Sequence, residues 1–98
     1  VSAKNLEKDK NAVIFRVQIK SSVDKIKQGS SVFKGYSDVK EYNFKGIYKY
    51  FVGETTDFNE IIKIQTEVKK KIPDAFVVAF KNDERIDFKE AMKEIGRN

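Results

Sequence analysis

Two cations, an amide and an aromatic ring recur at alternate positions of two strand-like stretches. Arg16 and Gln18 lie within Phe15-Arg16-Val17-Gln18-Ile19, and Lys49 and Phe51 within Tyr48-Lys49-Tyr50-Phe51-Val52-Gly53. Side chains alternate across a strand, so Val13, Phe15, Val17 and Ile19 share one face, and Ile14, Arg16, Gln18 and Lys20 the other. The first set must be buried, which predicts that the Arg16–Gln18 set looks outward. Lys49 and Phe51 oppose Tyr48, Tyr50 and Val52 in the same way. An amide exchanges paired hydrogen bonds with amides and hydroxyls. Cations form charge-assisted bonds with carboxylates, and a ring can cover the apolar face of a sugar. The set therefore suits a polysaccharide bearing N-acetyl and carboxylate groups, although composition alone favours an ordinary solvated sheet face.

Catalysis finds little to work with. Cysteine and histidine are both absent, which removes thiol nucleophiles, disulfides, imidazole bases and nearly every zinc arrangement. Glu54 and Asp57 could form an acid–base pair, but they fall at a strand end and a helix cap, where carboxylates have ordinary structural roles. The glycines have no phosphate-cradling spacing. The chain is therefore expected to be non-catalytic and to need no metal or other cofactor.

Ninety-eight residues, 40% apolar and 36% charged, fit one globular domain with a modest core. No apolar run approaches the roughly 20 residues that span a bilayer. Lys and Arg exceed Asp and Glu by five, and the pI is near 9.4, a balance that favours anionic partners. The polar opening from Val1, with no signal peptide, reads as part of a larger, exported protein.

The pattern along the chain predicts the elements that position these residues. Residues 1–11 form a linker remnant, 12–82 the domain and 83–98 a helical extension. Strand 1 is predicted over 13–20. The Gly/Ser-bearing stretch 21–36 argues against a long helix. Strand 2 covers 38–43, turns near Lys45-Gly46, and leads into strand 3 over 47–53. Asp57 caps the next helix and Glu60 completes a capping-box pair. Phe58, Ile61, Ile62, Gln65, Val68 and Ile72 make its buried stripe. Lys69, Lys70 and Lys71 suit the negative end of the helix dipole, and Pro73 stops the helix. Strand 4, over 75–80, is apolar on both faces and needs cover on both, from a ligand or from the tail. A tail helix runs over 87–95 from an Asp87 cap to Gly96, with Phe88, Ala91, Met92 and Ile95 docking on the domain. The whole is an α+β sandwich with one sheet face left for a ligand.

Nucleic acid is the competing ligand for the same face. Lys45-Gly46-Ile47-Tyr48-Lys49-Tyr50-Phe51-Val52 opens like the longer signature of RNA-recognition modules. That signature places aromatics at its third and fifth positions to stack bases. Here Ile47 and Lys49 occupy them, and the tyrosines fall on the buried parity, so nucleic acid is the second reading. A protein-interaction domain using strand edges or strand 4 is the third.

The residues also resemble a known family. Phe15-Arg16-Val17-Gln18-Ile19 resembles the opening of SPOR (sporulation-related repeat) domains. Gly46-Ile47-Tyr48-Lys49-Tyr50-Phe51-Val52-Gly53 resembles their second signature, and Asp74-Ala75-Phe76-Val77-Val78 their final strand. The likeness spans residues 13–81 and is strongest to the SPOR-like C-terminal region of Bacteroidetes N-acetylmuramoyl-L-alanine amidases. It implies a ferredoxin-like, RNP-like βαββαβ sandwich: a four-stranded antiparallel sheet with helices on one face. In this chain the first helix is shortened or replaced by a loop, and a C-terminal helix is added. It further implies binding of peptidoglycan glycan strands, preferentially stripped of stem peptides, in the periplasm or cell envelope. The module would target an attached cell-wall amidase or division protein whose catalytic domain lies N-terminal to this chain, with no membrane partner. Removing a stem peptide leaves a lactyl carboxylate, so stripped strands are polyanionic. The role carries onto Arg16 and Gln18, then Lys49 and Phe51; in place of the first helix, either a loop carrying Ser21, Ser22 and Lys25 builds the groove, or the groove is altered and binding is weak or retargeted.

Overall fold

The computed structural model describes residues 12–96; the predicted linker at 1–11 lies outside them. Strand β1 (Val13–Ser22) is followed by a loop with a single 3-10 turn at Ser31–Phe33. Then come β2 (Lys40–Phe44), β3 (Ile47–Thr55), helix α1 (Phe58–Lys69), β4 (Phe76–Lys81), β5 (Glu84–Ile86) and helix α2 (Phe88–Glu94). The strands form one antiparallel sheet in the order β2-β3-β1-β4-β5. The fold is α+β, as expected. The sheet has five strands rather than four, because the chain doubles back after β4. Asn82 and Asp83 both take left-handed backbone angles, which these two residue types tolerate, and they close a two-residue hairpin.

Helix α1 begins where its cap dictates. Asp57 Oδ1 accepts hydrogen bonds from the backbone N–H groups of Asn59 (2.9 Å) and Glu60 (3.4 Å). The reciprocal half of the predicted capping box is absent. Glu60 instead accepts from the Thr55 hydroxyl at 2.7 Å, and the Asp57 N–H donates to that same hydroxyl oxygen. The buried stripe also shifts. Ile61 and Val68 are buried, with Phe58, Ile64 and Ile72 packed against the same core, while Ile62 is exposed. Gln65, the polar break in the stripe, donates to the Ala75 carbonyl and ties the helix to the start of β4.

Helix α2 joins this core rather than covering the opposite face. Ala91 is fully buried, Met92 and Ile95 pack against the cluster that holds Phe15 and Ile61, and the Phe88 ring meets Phe58. An ion pair of 2.7 Å between Lys81 and Glu94 fastens it to β4. Both helices therefore sit on one side of the sheet.

Residues 23–36 pack over the core with no helix beyond the 3-10 turn. Ser30 caps the 3-10 turn, which drives Phe33 to full burial against the Tyr50 ring, 5.1 Å between centroids. Ile26 and Tyr36 pack around the same core. The Tyr50 hydroxyl accepts from the Ile26 N–H at 2.7 Å and donates to Glu41 Oε2 at 3.1 Å. Lys25 pairs with Glu41 Oε1, and Gln28 donates to the Val39 carbonyl. Burial, opposed by the Ile26 N–H and aided by Glu41, pushes the Tyr50 phenol above its ordinary pKa.

Candidate functional site

Opposite residues on antiparallel strands share a face, so the register shows what the helix-free face collects. Gln18 stands opposite Phe51 on β3 and Phe76 on β4. Arg16 is opposite Val78, Ile14 opposite Phe80, and Ser21 opposite Lys49. Lys49 and Phe51 face Tyr42 and Lys40 of β2. Four of the predicted residues, Arg16, Gln18, Lys49 and Phe51, are thus brought together as their parity required. Ser21 joins them. Ser22 does not: it lies opposite Tyr48, whose ring packs in the helix-covered core, and its hydroxyl accepts from the Asp24 N–H. Both serines belong to β1, not to a groove-lining loop, and Lys25 is committed to Glu41.

The exposure of this face differs from the expectation. Phe51 is 1% exposed and Gln18 7%. Phe51, Val78 and Phe80 form a second apolar cluster, with Tyr42 packed on it. Phe80 meets Tyr42 and Phe51 edge-on, at 5.1 and 5.3 Å between centroids, a favoured geometry for aromatic pairs. The outward side of β4, predicted to need a ligand or the tail as cover, is covered largely by rings from β2 and β3. The rings left at the rim are Phe44 and Phe76, 46% and 43% exposed.

Arg16 is drawn into this cluster. Its guanidinium lies over the Phe80 ring at 4.4 Å, and its Nε is 3.6 Å from Glu54 Oε1. That oxygen is also 2.5 Å from Lys40 Nζ. Glu54 reaches this face because β3 carries an extra residue. Between the pairs Phe15–Thr55 and Val17–Val52, β1 advances two residues and β3 three, the signature of a bulge. Gly53 sits there with φ +77, and a Cβ on it would come 2.9 Å from Ile64 Cγ2; only glycine fits both demands. Burial, the largest influence on the Glu54 carboxyl, pushes its pKa up. The hydrogen bond from Lys40 and the charge of Arg16 outweigh it, so the group is held below its ordinary value.

One residue absent from the predicted set belongs here. Arg85 of β5 stands opposite Phe80, and its Nη1 comes within 3.5 Å of Gln18 Oε1. The signal was available in the sequence: Asn82-Asp83 between Phe80-Lys81 and Glu84-Arg85-Ile86 is a hairpin pattern. Among the described residues, no group of Asp and Glu is placed to hold a metal ion, and no helix is long and apolar enough to cross a membrane.

Comparison with protein-family models, with curated proteins and with solved structures finds no match for this chain.

Proposed function

We propose that this chain is a SPOR-like, non-catalytic module that binds peptidoglycan glycan strands, preferentially those stripped of stem peptides. In the cell envelope it would carry an attached cell-wall amidase or division protein to such sites. One observation supports this reading most. The helix-free face gathers Gln18, Lys49 and Ser21 with a band of rings whose rim, Phe44 and Phe76, is open. The order β2-β3-β1-β4 within the sheet is compatible with the βαββαβ arrangement that the motifs imply. The contact surface differs from a simple display of Arg16 and Phe51. Those two side chains form the floor, and the rim rings with Lys49 meet the glycan.

The test is co-sedimentation with insoluble peptidoglycan, comparing untreated with amidase-stripped sacculi at low and high salt. A Phe76→Ser/Lys49→Ala variant changes the rim without opening the floor. Enrichment of the parent on stripped sacculi, lost in the variant, is the expected result. Equal recovery of both proteins on stripped material would overturn the assignment of this face. The exposed rings beside lysines also suit stacking of unpaired bases. Binding of single-stranded RNA that the variant loses, with none on sacculi, would favour that second reading.

A further inference from the structure

The face carries two arginines in opposite circumstances. Arg16 is largely buried, stacked on Phe80, and shares Glu54 with Lys40. Its charge is compensated inside the protein, and its guanidinium is held against the floor. Arg85 is exposed and, among the described residues, pairs with no carboxylate; its Nη1 donates a long hydrogen bond to the Gln18 amide oxygen. That contact aims it. Arg85 starts opposite Phe80, whereas Gln18 lies in register with Phe76. The side chain must therefore cross β4 diagonally, over the buried Val78, toward the row that ends in the exposed Phe76 ring. A guanidinium has five donors, and one long bond to an amide leaves most of them available.

We propose that Arg85 is the carboxylate-reading residue of this face, with Gln18 holding its guanidinium and Phe76 supporting the adjoining sugar ring. The inference rests on the glycan reading above and specifies its charge recognition. An exposed planar cation beside an open aromatic ring matches a sugar that presents an apolar ring face and an acidic substituent. A guanidinium can engage such a carboxylate with two parallel hydrogen bonds. Stripped strands owe their preference to this contact, and Arg16 contributes through the shape of the floor. The strand that carries Arg85 lies beyond the three motifs on which the family likeness rests.

The experiment uses the whole chain and amidase-stripped sacculi, before and after their carboxyl groups are converted to amides with carbodiimide and ammonia. The parent is expected to bind the carboxylate form about tenfold more tightly, the scale of one charge-assisted hydrogen-bonded contact. Arg85→Gln, an exposed change, should lose that preference yet bind the amidated material as the parent does. Lys69→Gln, which removes the same charge from the end of α1, should keep it. Retention of the full preference by Arg85→Gln, or its equal loss in Lys69→Gln, would overturn the proposal while leaving glycan binding intact. Failure of the parent to bind either material would overturn the glycan reading and this inference with it.

Discussion

The two faces of the sheet are both closed, but by different means. On one, Phe15, Val17, Tyr50 and Val52 are covered from above by α1, α2 and the pinned loop of residues 23–36. On the other, Phe51, Val78 and Phe80 are covered by side chains of the sheet itself, chiefly Tyr42 and the Arg16 guanidinium. The first closure is a core between layers. The second is a shallow cluster whose rings shield one another and whose edges stay open. On the proposed glycan reading, a ligand on that face would meet a finished floor and an open rim. Arg16 and Gln18, expected to look outward, are largely buried on this face.

That contrast can be broken most directly by removing one ring from each face. Phe15→Ala should destabilise the fold by about 3–5 kcal/mol, the usual range for a fully buried ring. Phe80→Ala should fall toward the lower end of that range, about 3 kcal/mol, because rim residues can settle into the space. Urea unfolding midpoints with unchanged slopes report both. A loss below about 1 kcal/mol for Phe80→Ala would mean that the second face is no core at all.

The next effect concerns the loop that completes the helix-covered side. Tyr50→Phe removes the hydroxyl that accepts from Ile26 and donates to Glu41. It should cost about 1–2 kcal/mol, since a backbone donor loses its partner in a partly buried place. Amide hydrogen exchange should quicken across residues 23–28 while the amides of β1 and β3 keep their protection. Uniform quickening would show that the loop is no separate unit. By comparison, Asp57→Ala should cost about 1 kcal/mol through its cap alone, with accelerated exchange limited to the first turn of α1.

The smallest effect is electrostatic and belongs to the other face. The Glu54 carboxyl is held below its ordinary value of 4.5. A carboxylate with a depressed folded pKa adds stability that is complete above the unfolded value and is lost as pH falls through the folded one. The stability difference between parent and Glu54→Gln should therefore be constant from neutral pH down to about 5 and shrink below it. A difference that stays constant into the acid range would separate Glu54 from the Arg16–Lys40 pair.

Much of this was legible along the chain because it depends on near neighbours. The Asp57 and Asp87 caps, the turn at Lys45-Gly46 and the strand parities of Arg16, Gln18, Lys49 and Phe51 are local consequences of residue type and a period of two. Even the failure of 21–36 to form a helix was written in Gly29, Ser30, Ser31 and Gly35. Some details escaped at the margin. Ile62 sits one step outside the stripe that Ile64 completes, and Glu60 prefers the Thr55 hydroxyl to the cap backbone.

By itself the sequence determined which side chains share a face within each regular run of strand, Arg16 with Gln18 and Lys49 with Phe51, but not where the two irregularities of the β1–β3 pairing reset the alternation and moved Lys20, Ser21 and Glu54. It did not determine which of them meet solvent. That depends on residues two strands away: Tyr42 and Phe80 close over Phe51, and the bulge at Gly53 delivers Glu54 beside Arg16. The position of Arg85 beside Gln18, 67 residues earlier in the chain, exists only once β5 has paired with β4. Parity is a local property of a strand; burial and charge pairing are sums over neighbours that only the folded sheet brings together.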